Sequence, residues 1–160
     1  MSNAAQRPSS TTPMHAMARA LAAGAAALAA SAAFAQGAAS PAGLWRSIDD
    51  ETGQAKSLIR IEESGGTFSG RIEKILTDKP DAVCDQCTDE RKGKPVLGMT
   101  IITGMKRNGE QWDGGNILDP NNGKVYRSRM KLLDGGRRLE VRGYIGAPLF
   151  GRSQTWLREE

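Results

Sequence analysis

The chain has 160 residues and a formal charge of +4, but residues 1–35 contain no Asp or Glu, two basic residues (Arg7, Arg19) and fifteen alanines, unlike anything downstream. The remaining 125 residues carry 20 Lys and Arg against 18 Asp and Glu, a net +2 without an aromatic-basic stripe, which gives nucleic acid little to bind. The one histidine, His15, falls in the first segment, so Ser-His-Asp and Cys-His nucleophiles and His-ligated zinc are excluded from the rest.

In chain order, Arg19 precedes a run from Ala20 to Ala33 made almost wholly of alanine, and Ala33-Phe34-Ala35 supplies a small-x-small pattern. This reads as a secretory signal peptide cleaved after Ala35, giving a periplasmic or secreted product. The run is too short and too weakly apolar to span about 30 Å of hydrocarbon, so no stable membrane insertion is expected after cleavage. Residues 36–42 are small and read as a flexible tether.

From Gly43 to the end, a single domain of eight β-type runs is expected at 44–49, 56–63, 67–76, 99–106, 111–118, 124–133, 138–145 and 152–158. Turn chemistry separates most of them: Asp49 to Gly53, Ser64-Gly65-Gly66, Asn108-Gly109, Asp119 to Gly123 and Asp134-Gly135-Gly136. Alternation within the runs sets Ile59 and Ile61 against Arg60 and Glu62, Phe68, Ile72 and Leu76 against Arg71 and Glu73, and Tyr126, Met130 and Leu132 against Arg127, Arg129 and Lys131. One apolar face per strand and hairpin connections predict an all-β fold, an eight-stranded antiparallel up-and-down meander barrel.

Residues 77–98 break the rhythm with Pro80, Pro95 and both cysteines. Cys84-Asp85-Gln86-Cys87 admits three readings: a structural disulfide, a redox pair, or part of a metal site. The flanking acids Asp81, Asp89 and Glu90 work against a low thiol pKa, and a zinc site lacks further His or Cys ligands. A disulfide is the favoured reading, shaping the loop locally because so short a ring gains little entropically from closure. No metal and no cofactor is expected. Gly135-Gly136 lacks the Lys-Ser/Thr and helix of a phosphate loop. Asp49-Asp50-Glu51 sits in a turn, a poor place to raise a carboxyl pKa for glycoside chemistry.

Gly43-Leu44-Trp45, Gly70-Arg71-Ile72, Cys84-Asp85-Gln86-Cys87, Lys94 to Gly98, Trp112-Asp113-Gly114-Gly115, Ile117 to Pro120, Gly123 to Tyr126, Arg142 to Gly146 and Gly151 to Trp156 together resemble the secreted bacterial family known as domain of unknown function 2147. The resemblance implies a small lipocalin-like (calycin) barrel exported from Gram-negative bacteria, and no established activity. Gly43 and Trp45 also resemble the first-strand lipocalin motif in which Trp plugs the closed end; with Trp156 and Arg158 on the last strand they form the expected barrel-closing set, Arg158 packing across the ring.

Arg142, Tyr144, Arg152 and Gln154 fall in the densest stretch of these motifs. They are candidate ligand contacts, holding an anionic or polar head, together with Trp112 and Tyr126 in the interior. The competing reading makes the arginines water-facing or carbonyl-capping and the aromatics core. Three functions follow. The leading one is non-catalytic binding of a small amphipathic or hydrophobic molecule. The alternatives are an envelope interaction or structural module with a filled barrel, and a Cys84/Cys87 redox protein.

Overall fold

The computed structural model describes residues 39–159, so the expected signal segment and its cleavage point lie outside the described residues. Eight strands follow one another: β1 Gly43–Ile48, β2 Ala55–Ser64, β3 Thr67–Ile75, β4 Thr100–Asn108, β5 Gln111–Asp119, β6 Lys124–Leu133, β7 Arg138–Tyr144 and β8 Arg152–Arg158. Each pairs antiparallel with the next, and β8 returns to β1 to close a barrel. The up-and-down meander expected from the hairpin joints is the fold, with strand ends within two residues of the expected runs.

Period-two alternation builds the interior. Trp45 and Ser47, Ile59 and Ile61, Phe68, Gly70 and Ile72, and Leu139 and Val141 are buried, each set on alternate positions of one strand. Burying an aliphatic or aromatic side chain of this kind contributes roughly 1.5–3 kcal/mol. The alternation fails near the end of β3. Leu58 pairs with Lys74 but Ile59 pairs with Ile72, leaving Glu73 as an extra residue in a β-bulge. A bulge reverses which face the following residues present. Ile75 therefore turns into the barrel, and Leu76, expected inside, is 36% exposed.

The segment 77–98 is long but held down. Its ends join the sheet through Leu76 N–H to Lys56 O and Gly98 N–H to Ile72 O, and a single bridge between Val83 and Pro95 folds it on itself. Cys84 and Cys87 form a disulfide, both buried. The loop docks on the turn between β5 and β6 at Gly123. That residue has φ +67°, and a Cβ built there would lie 1.9 Å from the Gln86 carbonyl oxygen. Only glycine fits, on both counts.

Of the tether expected at 36–42, residues 36–38 lie outside the described residues, and residues 40–42 are strapped to the barrel. Pro41 is buried, its carbonyl accepts the Trp45 indole N–H at 2.7 Å, and the Ser40 and Ala42 carbonyls accept from Arg158.

Candidate functional site

One end of the barrel is solid. Trp45, Phe68, Met105, Trp112, Met130 and Leu139 are all 5% exposed or less, with Phe68 edge-on to Trp112 at 6.0 Å between ring centroids. Arg158 lies across the Trp45 ring, its guanidinium carbon 4.1 Å from the centroid. It donates to three backbone carbonyls, Gly136 at 2.6 Å, Ala42 at 2.9 Å and Ser40 at 2.8 Å. Burial without a carboxylate partner lowers its pKa from the ordinary value, though an arginine stays charged.

Toward the other end the packing stops, leaving a cavity of about 850 Å³. Its apolar wall includes Ile59, Ile72, Ile101, Ile117, Val141 and Trp156. The polar groups set among them are satisfied locally: Ser47 and Ser57 hydroxyls lie 2.8 Å apart, and Gln154 Oε1 accepts the Trp156 indole N–H at 3.1 Å. An interior of this kind presents oil to a guest and asks for few hydrogen bonds in return.

The mouth is polar. Asp49 Oδ1 accepts from the Thr52 N–H at 2.8 Å and the Thr52 hydroxyl at 2.9 Å, and Oδ2 accepts from Lys56 at 3.2 Å. These donors, the Thr52 amide foremost, hold the Asp49 carboxyl well below the usual carboxylate range. Arg152 donates to both Asp50 oxygens at 2.6 Å and reaches Glu51 at 3.0 Å. Its hydrogen bonds lower the Asp50 pKa and raise that of Arg152. This fork crosses a weak place in the wall. Between β1 and β8 the ladder pairs are Trp45 with Arg158 and Arg46 with Leu157, both near the solid end, and at the mouth the ion pair ties the start of β8 to the turn that follows β1.

The remaining rim comes from three loops. Segment 77–98 supplies Lys79, Asp85 and Gln86, the β5–β6 turn supplies Asp119, Asn121 and Asn122, and the β7–β8 loop supplies Ile145 and Phe150. Ile145, Leu149 and Phe150 are 67%, 81% and 79% exposed, an apolar tip beside the opening.

Of the six residues expected to contact a ligand, Tyr126, Tyr144, Arg152 and Gln154 line the cavity. Arg142 does not. Val141 and Gly143 on either side of it face inward, so Arg142 turns out and braces the β7–β8 loop, donating to Pro148 O at 2.7 Å, Ser153 Oγ at 2.8 Å and Leu149 O at 3.3 Å. Trp112 is core at the solid end, beside a separate recess of about 170 Å³, and its indole N–H has no hydrogen-bond partner. The isoleucine wall and the serine pair have no counterpart among the residues expected at a site, and Asp49-Asp50-Glu51, read from sequence only as a turn unsuited to glycoside chemistry, stands at the mouth. The turn had a signal: with Trp45 opposite Arg158, continuing the antiparallel register residue for residue brings Glu51 opposite Arg152.

A closed eight-stranded antiparallel up-and-down barrel, plugged at one end and hollow at the other, has the architecture of a lipocalin-like barrel. The chain belongs to the family described as "Uncharacterized protein conserved in bacteria (DUF2147)", which matches residues 43–158. Its fold is similar to that of protein HP1028 from the human pathogen Helicobacter pylori, which belongs to the lipocalin family. The TM-score is 0.66 at 16% sequence identity, over 76% of this chain and 84% of that one. No curated protein matches the sequence.

Proposed function

We propose that the protein is an exported, non-catalytic barrel that binds a small amphipathic or hydrophobic molecule in its mouth-side cavity. The observation that carries this reading is where the packing stops: a volume of about 850 Å³ with an isoleucine-rich wall and a polar rim falls within the roughly 300–1,000 Å³ of small-molecule sites. A barrel filled along its length would have favoured an interaction module instead. Both cysteines of the Cys84–Cys87 disulfide are buried, 0% and 1% exposed, which favours a role in shaping the mouth loop over exchange with a redox partner. Export is supported by the signal-like leader and agrees with a disulfide.

The test uses Gly143, whose extended backbone accepts a side chain and whose Cβ would meet Ile117 and Tyr126 at an ordinary 3.4 Å inside the cavity. Gly143→Leu is expected to abolish the response of tryptophan fluorescence to a lipid probe while shifting the urea midpoint little. Unchanged probe binding in that variant, or no probe binding by the full-length chain, sinks the reading.

A further inference from the structure

The identities and pairing of the mouth residues carry an inference that rests on the container reading and narrows its guest. Every arginine expected to receive an anionic head is already engaged. Arg152 is held by Asp50 and Glu51, and Arg142 is spent on backbone carbonyls outside the cavity. Of the two lysines on the lining, Lys56 is paired with Asp49, which leaves Lys79. Against these three lining cations stand the lining carboxylates Asp49, Glu51, Asp85 and Asp119, a formal charge of −1 on the lining, with Asp50 bound to Arg152 behind it.

Aromatic faces meet the same opening from three elements: Tyr126 on β6, Tyr144 at the end of β7 and Phe150 in the β7–β8 loop. The Tyr126 hydroxyl already accepts the Asn122 amide at 3.1 Å, so the ring is what it offers a guest. Carboxylates that outnumber cations, interleaved with aromatic faces, match a positively charged head and repel a negative one. Below them the isoleucine wall receives an alkyl or ring body.

We propose that the cavity selects amphiphiles with a cationic head, an alkylammonium or quaternary ammonium group on an apolar body, over amphiphiles with a carboxylate head. The difference is set by the mouth, because the wall treats the two apolar bodies alike.

The test compares three ligands with the same twelve-carbon chain, dodecyltrimethylammonium, dodecyl glucoside and dodecanoate, at submicellar concentration, about pH 8 and low salt, where the carboxylate is ionised. The readout is the fluorescence of the full-length chain, whose three tryptophans all lie in the barrel. The ammonium ligand is expected to bind about tenfold more tightly than dodecanoate, with the glucoside between them and the gap narrowing as salt is added. Glu51→Gln combined with Asp85→Asn, both exposed positions, is expected to narrow the gap about threefold by strengthening dodecanoate and weakening the ammonium ligand. Tyr144→Leu is expected to weaken the ammonium ligand alone, and Tyr144→Phe to preserve it, as a ring face requires. Dodecanoate binding as tightly as the ammonium ligand overturns the proposal and leaves the container reading standing. No binding of any of the three overturns both.

Discussion

The two ends of this barrel are built from the same eight strands by different means. At the solid end, aromatic and methionine side chains fill the bore, and Arg158 is stacked on Trp45 with its donors on three carbonyls. At the mouth, side chains do not fill the bore, and the start of β8 is tied to the β1–β2 turn by Arg152 with Asp50 and Glu51, groups that are partly or largely in water. Packed burial and donors on buried carbonyls stabilise strongly, whereas exposed ion pairs contribute little. The difference teaches that fold stability is concentrated at one end, which leaves the other free to be hollow.

The sharpest way to break that contrast is at Trp45. Trp45→Ala removes the ring under Arg158 and the indole donor to Pro41, and is expected to cost about 3–5 kcal/mol in urea unfolding, the range for deleting a buried aromatic. Arg158→Met, which keeps the volume but strands three carbonyls, is expected to cost about 2–3 kcal/mol. If either variant unfolds at the wild-type midpoint, the solid end is not the seat of stability.

A smaller, local effect is expected from Gly123→Val. Valine meets both a left-handed backbone and the Gln86 carbonyl, so the loop 77–98 must lift from the β5–β6 turn. Amides bonded within the loop, Cys84, Gly93 and Val96, are expected to lose hydrogen-exchange protection, and the buried disulfide to be reduced faster by dithiothreitol. Strand β1 is expected to keep its protection. Loss of protection throughout the barrel would make the loop part of the core and not a mouth element.

Much of this was legible because strand and turn signals are local. The glycine and asparagine joints located the hairpins, and alternation chose the inner face of β2, of β6 and of β3 as far as its bulge. Where the reading missed, the cause is non-local. The bulge at Glu73 reverses Ile75 and Leu76 through the pairing of β2 with β3, and nothing within β3 announces it. Arg142 and Arg152 look alike in sequence. One is turned outward between Val141 and Gly143, and the other faces a turn a hundred residues away, a difference set by closure of the barrel. The cavity itself is a property of eight strands together, so isoleucines on its wall read as ordinary core.

The smallest expected effect separates the ends by pH. Asp49 and Asp50 are both held below the ordinary carboxylate range, Asp49 chiefly by the Thr52 amide and Asp50 chiefly by Arg152. A lowered folded-state pKa means that their contribution is complete above the unfolded value of about 4 and is lost as pH falls through the folded values. Arg158 is bonded to carbonyls, which do not titrate in this range. Nitrogen-proton NMR should therefore show the Thr52 amide moving only below about pH 4, while the Trp45 indole and the Arg158 side chain hold their positions. Arg152→Gln should move the onset for Asp50 upward, because its main stabilising donor is gone, and leave that of Asp49 in place, since the Thr52 amide is untouched. If the Trp45 indole instead shifts together with Thr52, protonation at the mouth is felt at the plug, and the two ends answer as one cooperative unit.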